Sequence, residues 1–157
     1  MSFFGQSFDY KFNYNNEVSF KKYDYYPYDL AQNDVSNDFE LLLKYIKENI
    51  PLDEKIYIGL KDHSKVYINN ILLYFFIGRE VPTFYHEFFP GITNTYLGQT
   101  RIVKELQNLN YLILWDFFVC EPNESCNSSN VFVLDQYISK NFYVEKIIGS
   151  YFVMKRI

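Results

Sequence analysis

Tyr111-Leu112-Ile113-Leu114-Trp115-Asp116 decides the fold class. Five large apolar side chains in succession leave neither face for water, so the run predicts a strand covered on both faces, with Asp116 closing it. Such a strand needs helices above and below it, and the flanking sequence supplies them. Upstream, Gly98 to Asn108 places Ile102, Val103 and Leu106 at helical steps. Downstream, Asn130 to Lys140 does the same with Val131, Leu134, Tyr137 and Ile138. Lys55-Ile56-Tyr57-Ile58-Gly59-Leu60 predicts a first central strand, and Val81-Pro82-Thr83-Phe84-Tyr85 a second short one that Pro82 confines to an edge or an entry position.

Phe39, Leu42, Leu43, Ile46 and Ile50 recur at steps of three or four before Pro51, after a cap signal at Ser36-Asn37-Asp38. Val66 to Gly78 predicts another helix, with Ile68, Leu72, Phe75 and Phe76 on one face. Tyr143 to Ile148 and Tyr151 to Arg156, parted by Gly149-Ser150, predict a terminal hairpin or a bulged strand. Strands alternating with helices give an α/β fold: a three-layer, mostly parallel, Rossmann-like sheet with helices on both faces and a C-terminal β-hairpin. Residues 1–36 form an extended, aromatic-rich segment packing on a single α/β domain over 37–157.

The chain has 157 residues and 18.9 kDa, within the usual size of one core. Lys and Arg number 15 against 19 Asp and Glu, a net charge of 15 − 19 = −4, which disfavours a nucleic-acid partner. An apolar fraction of 48% disfavours disorder. Tyr, Phe and Trp make 21% of the residues, more than a core needs, so some rings are expected near the surface, where they can stack on sugars or headgroups. The start, Met1 to Gly5, lacks the pattern of a signal peptide, and the longest apolar stretch, Ile71 to Ile77, is too short to span a bilayer.

In an open α/β sheet, ligands gather past the carboxyl ends of the strands. Asp62 and His63 follow the first strand, His86 and Glu87 the second, and Asp116 the third. A carboxylate beside an imidazole suits acid/base work, and His86 with Glu87 suits a cation or a sugar hydroxyl; structural use is the competing reading, with Lys61, Asp62 and His63 in a solvated turn whose Asp62 caps the next helix and with Asp116 binding loop amides. Arg79 and Arg101 can hold an anion or pair with Glu80 and Glu105. The signatures Gly-x-Gly-x-x-Gly, Gly-x-x-x-x-Gly-Lys-Ser/Thr, Gly-x-Ser-x-Gly and His-Glu-x-x-His are missing, so no cofactor, metal or catalytic residue is assigned. Cys120 and Cys126 flank Pro122, a spacing that permits a small disulfide loop or two unlinked thiols, and two His residues without finger-like spacing argue against zinc. The same loop holds the sequons at Asn123 and Asn127.

Tyr57-Ile58-Gly59, Tyr67-Ile68-Asn69-Asn70, Gly78-Arg79-Glu80-Val81-Pro82-Thr83, Phe89-Pro90-Gly91-Ile92-Thr93-Asn94-Thr95 with Gln99, and Leu134-Asp135-Gln136-Tyr137-Ile138 with Gly149-Ser150-Tyr151 stand in this order. The pattern, over residues 37–157, resembles the soluble C-terminal region of bacterial polytopic dolichyl-phosphate-mannose-protein mannosyltransferase-like glycosyltransferases. The resemblance implies a noncatalytic, extracytoplasmic, membrane-tethered domain packed against the membrane part of a parent enzyme and contacting glycan or acceptor. The catalytic carboxylate of that family lies in the membrane portion, so none is carried over here. The resemblance also favours a Cys120–Cys126 disulfide. If Met1 is the true start, the expectation is instead a cytoplasmic, stand-alone α/β enzyme using the strand-end residues, or a protein-interaction module.

Overall fold

The computed structural model describes residues 32–116 and 126–157. The aromatic segment expected over residues 1–36 lies outside them up to residue 31, as do Cys120 and the sequon at Asn123. Four helices and four strands follow one another: α1 (Gln32–Asn49), β1 (Ile56–Leu60), α2 (Leu72–Ile77), α3 (Tyr96–Leu106), β2 (Tyr111–Trp115), α4 (Val133–Asn141), β3 (Phe142–Ile148) and β4 (Tyr151–Arg156). None of these helices is long and apolar enough to cross a membrane. The fold is α/β.

The strands form one sheet in the order β1-β2-β4-β3. β1 and β2 run parallel with Leu60 beside Trp115, whereas β4 is antiparallel to both β2 and β3. The sheet is therefore mixed, and the expectation of a mostly parallel one is corrected. The reason is local: β3 and β4 are joined by Gly149-Ser150 alone, which is too short for the crossover that a parallel pair requires. The chain then inserts β4 between β3 and β2.

Two further expectations fail for physical reasons. Val81–Tyr85 forms no strand, because Pro82 has no amide proton, the Phe84 amide donates to Glu105 at 3.0 Å, and the Thr83 hydroxyl donates to the Tyr85 carbonyl at 2.9 Å. Local bonds thus take the groups that a ladder would have used. β1 is an edge strand rather than a central one, although all five of its residues are buried. Side chains protect that edge: the Ile58 amide donates to the Tyr74 hydroxyl at 2.8 Å, and Asn69 Nδ2 donates to the Ile58 carbonyl at 3.2 Å. Burial of the phenol pushes the Tyr74 hydroxyl above its ordinary 10.0, against the opposing pull of the hydrogen bonds it accepts.

Residues of alternating parity along β2 and β4 feed two apolar clusters. Tyr111, Ile113, Trp115, Tyr151 and Val153 pack with Leu42, Ile46 and Ile50 of the first helix region and with Leu73 and Tyr74 of α2. Leu112, Leu114 and Met154 pack with Ile102 and Leu106 of α3 and Leu134 and Ile138 of α4. Each fully buried aliphatic side chain contributes about 1.5–3 kcal/mol relative to an exposed one. α1 extends N-terminally past the expected cap, so Ser36, Asn37 and Asp38 lie within it. α2 is shorter than the sequence suggests and turns Leu73 and Tyr74 inward, leaving Leu72 and Phe75 exposed. Asn69 is engaged through its side chain with three backbone groups just ahead of α2, which delays the helix. Gly78 closes α2 at φ 61°, a left-handed conformation that suits glycine.

Candidate functional site

The parallel register of β1 and β2 brings Lys61 and Asp116 side by side. The Lys61 amide donates to the Trp115 carbonyl at 3.1 Å, and the Lys61 ammonium lies 2.6 Å from Asp116 Oδ2 and 4.4 Å from the centre of the Phe152 ring. The Asp116 amide donates to the Ser150 carbonyl at 2.9 Å, which ties the β2 end to the β3–β4 turn. Beside it the Trp115 indole donates to the Ser150 hydroxyl at 3.0 Å and stacks on Tyr151 with ring centres 5.8 Å apart. Asn70 Nδ2 donates to the Tyr151 hydroxyl at 2.9 Å.

One residue further along, the chain dives inward. Asp62 accepts from both the amide and the hydroxyl of Ser64, at 3.0 and 2.7 Å, and lies 3.4 Å from the Lys65 ammonium. Burial raises its carboxyl, but the Ser64 bonds and Lys65 outweigh that and hold it below its ordinary 3.8. Asp62 thus closes a turn onto Ser64 and caps no helix, since the next one, α2, begins only at Leu72. His63 is 1% exposed. Its Nδ1 lies 2.7 Å from Asp135 Oδ1 and its Nε2 3.0 Å from the Tyr57 hydroxyl, while its amide reaches both Asp135 oxygens at 3.3 Å. A carboxylate accepts only, so it takes the Nδ1 proton and leaves Nε2 to accept from Tyr57.

Each element of this relay has a sequence cause. Tyr57 reaches His63 by lying along its own strand, over the position where any Cβ at residue 59 would collide with its ring; Gly59 clears that space. Asp135 sits in the first turn of α4, where the helix dipole favours a carboxylate. Gln99, fully buried, donates through Nε2 to the carbonyls of His63 at 2.8 Å and Val131 at 2.9 Å, and accepts from the Leu134 amide at 3.0 Å. Ser64 completes the joint: its carbonyl accepts from the Ser129 amide at 2.8 Å. Burial, first, and the neighbouring Tyr74 and Asp135 push the Tyr57 hydroxyl well above its ordinary 10.0. The relay ends on a fully buried phenol on one side and on the partly exposed Asp135 on the other, and it ties the β1 exit loop to α4.

The remaining candidates are dispersed. Arg79 spreads its guanidinium over the carbonyls of Ile50 at 3.0 Å, Glu54 at 2.7 Å and Pro51, which closes the C-terminal end of α1 and leaves no fork for an anion. Glu80 pairs instead with Lys55 at 2.6 Å, and Arg101 with Glu105 at 3.3 Å. Arg101 also lies 3.8 Å from the centre of the Phe84 ring. His86 is exposed, and its carbonyl accepts from Asn69 at 3.0 Å; Glu87 is half-buried in the same loop. Cys126 packs against the cluster under α3 and α4, whereas its expected partner Cys120 lies outside the described residues. Among the described residues, no three His, Cys, Asp or Glu side chains gather as metal ligands would.

A different feature emerges between β1 and α3. The Phe89 amide donates to the Thr93 hydroxyl at 2.9 Å, Gly91 donates to Asn94 Oδ1 at 2.8 Å, and the Thr95 hydroxyl caps α3 by accepting from the Gly98 amide at 3.1 Å. This self-bonded loop exposes Phe89 at 53% and Ile92 at 46%, and the first turn of α3 that follows it exposes Tyr96 at 64% and Leu97 at 79%. Tyr57, Asp135, Gln99 and Lys61 were not selected as candidates from sequence; Asp135 falls in a helix's first turn only because α4 begins at Val133 rather than at the expected Asn130. No family model, curated protein or solved structure matches the chain.

Proposed function

We propose that the chain is a noncatalytic binding domain of a membrane glycosyltransferase and that the loop from Phe89 to Leu97 seats it on the membrane part of that enzyme, beside glycan or acceptor. The observation that carries this reading is the self-bonded loop and the first turn of α3, which together display four large apolar side chains, while Asp62, His63 and Arg79 are occupied within the fold. Rigid apolar display lowers the ordering cost of docking. The resemblance of the sequence pattern to the soluble region of mannosyltransferase-like enzymes supplies the class of partner proposed here. The same reading treats the sheet as a reduced three-layer, Rossmann-like arrangement that ends in a β-hairpin; the two apolar clusters, each shared with a different pair of helices, support it.

The test is flotation of the full chain with phospholipid vesicles carrying polyprenyl-phosphate mannose, together with the sequence of the genomic locus on both sides of codon 1. Binding that Phe89→Ser and Leu97→Ser abolish, beside a gene segment for polytopic helices, is the expected outcome. Absence of vesicle binding, or a locus without any membrane transferase, removes the reading. One observation favours a second reading, a small stand-alone enzyme: the Lys61–Asp116 pair lies half-exposed at the carboxyl ends of the parallel strands. Asp116→Asn and Lys61→Met then abolish a measurable turnover that Phe89→Ser leaves intact.

A further inference from the structure

The two edges of the sheet are treated differently. On β1, Tyr74 and Asn69 occupy the outward amide and carbonyl of Ile58. Among the described residues β3 is the opposite edge, no hydrogen bond reaches its outer backbone from Tyr143 onward, and it exposes Tyr143 at 46%, Val144 at 46% and Ile147 at 55%. An edge with unpaired backbone groups and apolar side chains is a template for another strand.

The bulge in β3 determines which strand fits. Val144 stands opposite Met154 and Lys146 opposite Val153, so Glu145 is the extra residue. Before the bulge, even-numbered positions share the face of Met154: Phe142 and Val144. After it, odd-numbered ones do: Ile147 stands opposite Phe152, on that same face. Glu145 reaches Lys155 at 3.0 Å and Tyr45 at 3.2 Å on the other face, where Lys146 also lies beside Val153. A two-fold axis perpendicular to the sheet, passing between Glu145 and Lys146, therefore sets Val144 against Ile147 of a second copy, and Glu145 against Lys146 of a second copy. Every pair then falls on one face, and the central pair is opposite in charge. Shifting the register by one residue places Val144 opposite Lys146 and breaks the match of faces.

We infer that β3 pairs antiparallel with β3 of a second copy of this chain, giving a two-fold dimer with one continuous eight-stranded sheet. The inference is independent of the proposed function. Lys146 makes no ion pair among the described residues, which leaves its ammonium available to Glu145 across the axis. Cross-strand apolar and opposite-charge pairs each favour association, and two-fold symmetry counts each pair twice.

The experiment is sedimentation equilibrium of the full chain over a wide concentration range, with two exposed-position variants whose folding is checked by circular dichroism. The expected result is a monomer–dimer equilibrium that Ile147→Lys weakens about tenfold or more. Lys146→Glu sets like charges across the axis, so it weakens the dimer at low salt and salt partly restores it. A chain that stays monomeric throughout overturns the inference, with the bulge and Lys146 then serving as edge protection. A dimer indifferent to both substitutions overturns it equally, since its interface lies elsewhere.

Discussion

Replacing Gln99 by Met keeps the shape of the side chain and removes both of its polar ends. Three bonds disappear together: two from Nε2 to the carbonyls of His63 and Val131, and one from the Leu134 amide to Oε1. Gln99 is fully buried, so water does not take over these groups without the structure opening. An orphaned buried donor or acceptor costs about 1–3 kcal/mol, and a carbonyl suffers less than an amide proton because it keeps a second lone pair. The sum is about 3–5 kcal/mol, a large share of the ~5–15 kcal/mol that holds a domain of this size together. Urea denaturation followed by circular dichroism reads the loss as a lower midpoint at an unchanged slope. At about 2–4 °C per kcal/mol for a chain of this length, the thermal midpoint falls by ~6–20 °C. Gln99→Glu is the companion variant: it retains an acceptor for Leu134 but turns an oxygen toward two carbonyls, so it is at least as destabilised at neutral pH. A Gln99→Met loss under about 1 kcal/mol with the slope unchanged refutes the assignment of Gln99 as the clamp between the β1 exit loop and α4.

Gly98→Ala, which helix propensity alone makes stabilising by about 1 kcal/mol, is expected to cost about 2 kcal/mol or more, because the new Cβ lands on the Ile92 carbonyl oxygen of the self-bonded loop; a thermal midpoint at or above wild type shows instead that the loop yields. Arg79→Lys is expected to lose about 1–2 kcal/mol in urea unfolding, since one ammonium does not span the three carbonyls that the guanidinium bridges, and full stability in that variant removes Arg79 as the closure of α1. Asp62 has a folded-state carboxyl below its ordinary 3.8, so its contribution is present above that value and is lost as pH falls through the folded one. Asp62→Asn is therefore expected to be about 0.5 kcal/mol less stable than wild type at neutral pH, with the gap closing in acid; a gap that widens in acid contradicts the sign.

The strand at Tyr111–Trp115 was legible because its apolar character on both sides reflects burial on both sides, a cause that lies within the run itself. α3 and α4 were legible from the same kind of local periodicity. Val81–Tyr85 was not, because its β-branched and aromatic residues match a strand while the acceptor that claims its Phe84 amide, Glu105, comes from a helix later in the chain. β1 looked central because burial on both faces and coverage of an edge leave the same apolar pattern in sequence; only Tyr74 and Asn69 distinguish them. Of the candidates, Asp62, His63 and Asp116 do follow β1 and β2, whereas His86 and Glu87 follow a segment that forms no strand. His63 and Asp135 are 72 positions apart, and neither spacing nor composition joins them until the sheet does. Arg79 reads as an anion site in sequence because the carbonyls that claim it carry no side-chain signature.

The stack of Trp115 on Tyr151 gives the protein an optical address. Trp115 is the sole indole in a chain with 16 tyrosines, and its nitrogen is hydrogen-bonded to Ser150 at the turn where the antiparallel strands meet the parallel pair. Light absorbed selectively by that indole samples one seam of the molecule, and light absorbed by the phenols is passed toward it. An emission change therefore dates the moment at which β2 and β4 part, separately from the loss of helix, and turns the order in which the two halves of the sheet come apart into a directly timed event.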